Sequence, residues 1–137
     1  MVSIDSVDLS SVDFSSQPYI DSISALRSSG AAFALVFGSQ ARGASNANSD
    51  IDIAAWWPPD IGLNAWELTM PTGVDLVDVN KAPLELAGRI ACEGILLFED
   101  NPEARVYWVA NTRKIWLDEK YRFELSHRTF LEAAANG

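Results

Sequence analysis

The sequence predicts an α/β (α+β) fold, a small mixed β-sheet flanked by helices. Three observations point to it. Short apolar runs alternate with stretches of helical spacing. Glycine, serine or proline stands at nearly every junction between them. The chain has 137 residues, 48% of them hydrophobic, enough to bury roughly two-thirds of the unfolded surface in one core. Residues 1–137 therefore read as a single domain. Within it, 1–16 form a Ser/Asp-rich lead expected to be loosely ordered, and 101–137 a C-terminal helical segment.

Each element has its own signal. From Pro18, the apolar Ile20, Ile23 and Leu26 recur at helical spacing, and Ser28-Ser29-Gly30 ends that helix. AAFALVF (31–37) is short, continuously apolar and aromatic at its end, the pattern of a buried strand. A Gly-Ser turn and a small-polar loop lead to DIDIAAWW (50–57), a second strand. Pro58-Pro59 must end it, because proline lacks the N–H that a sheet ladder needs. Residues 61–70 are expected to form a short helix. Gly73 opens VDLVDVN (74–80), an alternating third strand. Pro83 suits the first turn of a helix over 84–93, with Gly94 as its stop. ILLF (95–98) reads as a fourth strand, and the chain from Pro102 to about Phe130 reads helical, with a break near Asn111.

The totals exclude some functions. A net charge of −9 argues against broad binding to a phosphate backbone, which needs clustered Lys and Arg. No apolar stretch approaches the ~20 residues of a membrane span. The start, MVSIDSVDLSSVDF, lacks the basic flank and apolar centre of a signal peptide. A single cysteine, Cys92, cannot close an intramolecular disulfide, so a cytoplasmic location is expected. The charge is uneven: residues 1–100 carry 14 acidic and 4 basic groups, and 101–137 carry 5 and 6. An acidic body of this kind suits solubility, a basic partner or divalent cations.

The chemistry gathers in GSQARGASNANSDIDI (38–53). In a strand, Asp50 and Asp52 point to one face with Cα atoms about 6.5–7 Å apart, while Ile51 and Ile53 turn into the core. Two such carboxylates can share a pair of divalent ions about 3.5–4 Å apart, and their hard oxygens suit Mg²⁺. Gly38-Ser39 lies at the exit of a buried strand, where glycine lets a phosphate approach closely and the serine hydroxyl adds a donor. Arg42 offers a charge-assisted contact. A third carboxylate is needed to complete such a centre, and strand 74–80 offers two on opposite faces, Asp75 and Asp78. Periodicity does not choose between them.

Gly38-Ser39, ten residues, then Asp50-x-Asp52 resembles the G-S-x10-D-x-D signature of the nucleotidyltransferase superfamily that includes DNA polymerase β. The surrounding FGSQARG…SDIDI and VDLVDVN look like the minimal nucleotidyltransferases, and among those the MntA-type antitoxins paired with HepT-type toxins. The resemblance covers roughly 20–100 and implies the nucleotidyltransferase fold. It implies that Gly38 and Ser39 hold the nucleotide phosphates, with Arg42 as part of the common GSxARG form. Asp50 and Asp52 would bind two Mg²⁺, and Asp75, the first acidic residue of its strand, would be the third catalytic and metal-binding carboxylate. The implied reaction is transfer of AMP from ATP to a tyrosine hydroxyl of a cognate HepT-type ribonuclease, in a hetero-oligomer with that toxin and without direct binding of nucleic acid or membrane. The alternatives are the same chemistry on an aminoglycoside-like small molecule, and a non-catalytic antitoxin that masks its partner by contact.

Three further residue groups carry expectations. Cys92 should be a small core residue and His127 a surface or packing residue. Of Trp56 and Trp57, one should face the core and the other outward. Trp108, Trp116, Tyr121 and Phe123 of the last helix should serve either the core or a docking surface.

Overall fold

The computed structural model describes residues 13–41, 43, 50–62 and 67–136. Helix α1 (Gln17–Ser28) leads into β1 (Phe33–Phe37), followed by β2 (Ile51–Trp56), β3 (Val74–Asp78), α2 (Leu84–Glu93), β4 (Ile95–Glu99) and α3 (Pro102–Asn136). The expected lead falls mostly outside the described residues, as do most of the small-polar loop and the centre of the helix expected over 61–70. Every other expected element is present, and its bounds lie close to the punctuating residues.

The four strands form one mixed sheet in the order β3-β2-β1-β4. β1 runs antiparallel to β2 and β4, whereas β2 and β3 are parallel. The parallel pair needs a crossover, and α2 then carries the chain from the β3 edge to β4 on the opposite edge. Side chains alternate between the two faces, so each face has its own core. One gathers Val36, Ile53, Ala55, Trp57 and Phe98 against Tyr19 and Leu26 of α1. The other gathers Phe33, Leu35, Ala54 and Val79 against Ile90 of α2 and Trp108 and Val109 of α3. Central strands are apolar on both faces for that reason.

Local detail departs from the expected pattern in four places. The buried stripe of α1 is Tyr19, Ser22 and Leu26, while Ile20 is exposed. Ser22 fits because its hydroxyl donates to the Pro18 carbonyl at 2.6 Å, so no polar group is left unpaired. α3 shows no break at Asn111: it runs unbroken to Asn136. Asparagine costs a helix only about 0.7 kcal/mol or less, and the adjoining turn is pinned by buried Thr112 and by Arg113, whose Nε donates to the Ala91 carbonyl at 2.6 Å. Cys92 is exposed, because Ile90 and Ala91 take the inward positions of α2. Both tryptophans at the end of β2 meet apolar neighbours: Trp57, just past the strand, is buried on the α1 face, and half-buried Trp56 stacks on Phe33 on the other.

Close packing of α2 on α3 explains Gly88. A Cβ there would run into the Trp116 side chain, so glycine lets the two helices approach. Beyond Trp116, α3 leaves the body, and Tyr121, Phe123, Phe130 and Leu131 are exposed. His127 is exposed as expected and stacks on Phe123, ring centres 6.2 Å apart. No helix among the described residues is long and apolar enough to cross a membrane.

Candidate active site

Strand direction brings the acidic positions together. Because β1 opposes β2 and β3, its exit lies beside their entries. Gly38 directly follows β1, Asp50 directly precedes β2, and Asp52 and Asp75 are each second in their strands. The register pairs Asp52 with Phe37 on one side and with Asp75 on the other. Paired residues of neighbouring strands share a face, with strands about 4.8 Å apart. Asp52 and Asp75 are therefore lateral neighbours, and Asp50 stands one step outside the strand, two residues before Asp52.

The same register separates Asp78 from the group. It pairs with Ala55, which places it on the α1 face. Its carboxylate is also engaged locally: Oδ1 accepts the Asn80 N–H at 2.9 Å, an Asx turn that closes the end of β3. The choice that sequence periodicity left open is thus made by strand pairing, in favour of Asp75 as the neighbour of Asp52.

Gly38 fixes the approach of the turn to this edge. Its φ of +73° lies in the left-handed region that side chains disfavour. A Cβ on Gly38 would run into Oδ2 of Asp52 and lie 3.3 Å from its Cγ. Glycine therefore serves twice here, by adopting the turn and by making room for a carboxylate. Ser39 follows it in the turn, half-buried. Arg42 lies outside the described residues.

Two contacts that the sequence did not disclose hold the turn. The Tyr19 hydroxyl donates to Oε1 of Gln40 at 3.3 Å, and the Gly43 N–H donates to the Gln40 carbonyl at 3.3 Å. Tyr19 is itself buried, and burial pushes its hydroxyl pKa above the usual value. The only sequence trace of this support was an aromatic residue on the inward stripe of α1.

The donor set suits a hard divalent cation, since all three candidate ligands are carboxylates at one end of the sheet, two of them paired across β2 and β3 and the third directly before β2. Asp50 and Asp75 are exposed and Asp52 is half-buried. Among the described residues, no three carboxylate, imidazole or thiol groups already close around a common point. The fit is thus one of chemistry and placement, with two ligands on side chains that solvent leaves room to turn.

Residues 23–103, more than half of the chain, match the family described as polymerase beta, nucleotidyltransferase. No curated protein sequence matches significantly. Among solved structures, a chain of a toxin–antitoxin complex crystallised with AMP-PNP aligns with a TM-score of 0.64 at 23% identity, covering 80% of this chain and 94% of that one. A chain of an MntA–HepT toxin–antitoxin crystal gives 0.58 at 22%, covering 80% and 92%. A chain of the tri-AMPylated Shewanella oneidensis HEPN toxin in complex with MNT antitoxin gives 0.60 at 19%, covering 84% and 99%. At these identities the likeness shows the fold, which the sheet order and helices above share. The match over 23–103 takes in the turn after β1 and all three aspartates, and it settles membership: this chain belongs to the polymerase β-type nucleotidyltransferase family.

Proposed function

We propose that the protein is a Mg²⁺-dependent adenylyltransferase that moves AMP from ATP to a tyrosine hydroxyl of a cognate HepT-type ribonuclease, and so acts as the antitoxin of that pair. The observation that carries the reading is the meeting of Gly38, Asp52 and Asp75 at one end of the sheet. The similar structures support the partner class, since all three were solved as toxin–antitoxin complexes: one with AMP-PNP, one of MntA with HepT, and one of a tri-AMPylated HEPN toxin with its MNT antitoxin. A cytoplasmic setting and a hetero-oligomer with the toxin belong to the same proposal.

The residues have separate tasks. Asp50, Asp52 and Asp75 would hold two Mg²⁺, which supply charge neutralisation on the attacking and leaving oxygens when bound. Gly38 leaves room for the triphosphate at the turn, where Ser39 donates to a phosphate oxygen and Arg42 adds a charge-assisted contact. The acceptor oxygen forms a bond to the α-phosphorus as the α–β bridging bond breaks. Pyrophosphate departs, and the acceptor's proton passes to Asp75, the general base. Adding AMP to the toxin would introduce bulk and negative charge beside its RNA site.

A second reading rests on α3. Nine of the eleven large apolar side chains exposed among the described residues lie on that helix, which favours partner contact whatever the chemistry. The two readings separate experimentally. The protein is incubated with ATP radiolabelled at the α-phosphate, Mg²⁺ and the product of the adjacent gene. Label on the partner that Asp50→Asn abolishes supports transfer. Neutralisation by Asp50→Asn without any label supports contact alone.

A further inference from the structure

A recess of about 500 Å³ lies at the other end of the sheet face that carries Asp52. Trp56 is four residues along β2 from Asp52, about 13 Å away and on the same face. The recess is lined by Trp56, Asn80 in the turn after β3, and Asn101, Glu103, Tyr107 and Trp108 at the start of α3. None of these residues has a task in the transfer chemistry.

Its walls are built from anchored groups. Trp56 stacks on buried Phe33 with centres 5.7 Å apart, and Trp108 tilts against the same ring at 6.1 Å. Asn101 is held from both ends: its N–H donates to the Ala32 carbonyl at 3.2 Å, and its Oδ1 accepts the Ala104 N–H at 3.1 Å. Asn80 donates its Nδ2 to the Trp57 carbonyl at 3.1 Å, which leaves its amide oxygen as an acceptor. Glu103 has no ion-pair partner among the described residues. Its charge suits a helix N-terminus, but that does not account for three aromatic side chains around it, one of them, Tyr107, 72% exposed.

We propose that this recess takes the guanidinium of an arginine side chain presented by a partner polypeptide. Aromatic faces attract a cation through their quadrupole, and a planar guanidinium both stacks on them and forks to a carboxylate. The acceptors on offer, Glu103 and the Asn80 amide oxygen, match its five donors and its charge. The chain's net charge of −9 adds a long-range pull on a basic ligand. A nucleotide would also stack, but its phosphates would face Glu103 and the same negative field. The inference does not depend on the nucleotidyl-transfer reading.

The test is an NMR titration of the whole protein with a capped arginine amide, following the indole N–H signals. Trp56 and Trp108 should shift saturably. Trp57 should stay fixed, because its indole is buried and donates to Ser29 Oγ at 2.9 Å. The matching citrulline amide, equal in shape but uncharged, should bind at least about tenfold more weakly, as should arginine to Glu103→Gln, the scale of a lost charge-assisted hydrogen bond. Equal binding of arginine and citrulline, or unchanged affinity in Glu103→Gln, overturns the proposal. So does a titration in which adenosine moves Trp56 and Trp108 and arginine does not. If Glu103→Gln fails to fold, Tyr107→Ala decides instead: unchanged arginine affinity there also overturns it.

Discussion

At Gly38 the backbone turn and the Asp52 carboxylate occupy adjoining volumes, and only a residue without Cβ satisfies both. Gly38→Ala should cost about 1–2 kcal/mol from the left-handed backbone alone. A lowering of the melting temperature by roughly 2–8 °C would register it. Transfer activity should fall further than that loss explains, because the new methyl displaces Asp52. Asp75 and Asp78 give a second residue-scale prediction. Asp75→Asn should lower the transfer rate on the order of 10²–10³-fold, while Asp78→Asn keeps it near wild type, as measured by initial rates of label transfer. The sequence made the pair Asp50 and Asp52 legible, through their spacing from Gly38-Ser39. Periodicity could not choose between Asp75 and Asp78, since VDLVD sets one aspartate beside apolar residues on each face; only the family resemblance favoured Asp75. That choice is a property of the register with β2, which no local pattern encodes.

The helices show the same division between local and tertiary causes. Apolar spacing located α1, and Pro83 and Gly94 bracketed α2, but the inward residues were set by what the sheet offered. Tyr19 and Ser22 went in and Ile20 stayed out. Tyr19 yields a pH prediction. Its pKa is raised in the folded state above the ordinary 10.0, so the stability from burying the neutral phenol is fully present below the unfolded value. It is lost as pH rises through the folded value. Urea midpoints should fall above about pH 10, and Tyr19→Phe should remove part of that slope. Between α2 and α3, Gly88→Leu should destabilise by about 1–3 kcal/mol through overpacking against Trp116, measured by urea unfolding. The missing break at Asn111 has a related cause. Asn111 is one weak helix former, whereas Arg113 ties that turn to α2 and Thr112 is buried beside it.

Taken as a whole molecule, the fold sorts its tasks by place. The aspartates occupy one end of the sheet, an aromatic recess the other end of the same face, and α3 projects an apolar surface beyond both. Charge follows the same plan, with the acidic groups concentrated in residues 1–100 and a near-balanced tail. Architecture was legible because punctuation and apolar runs are local. The recess was not, because it is assembled from β2, the turn after β3 and α3. The central claim is that Asp50, Asp52 and Asp75 form a cation-dependent centre for adenylyl transfer. It is tested most directly by measuring label transfer from ATP labelled at the α-phosphate to the partner protein, with and without Mg²⁺, for wild type and Asp52→Asn of matched thermal stability. Label should reach a partner tyrosine only for wild type with Mg²⁺, and undiminished labelling by Asp52→Asn would show that the aspartates do not form such a centre.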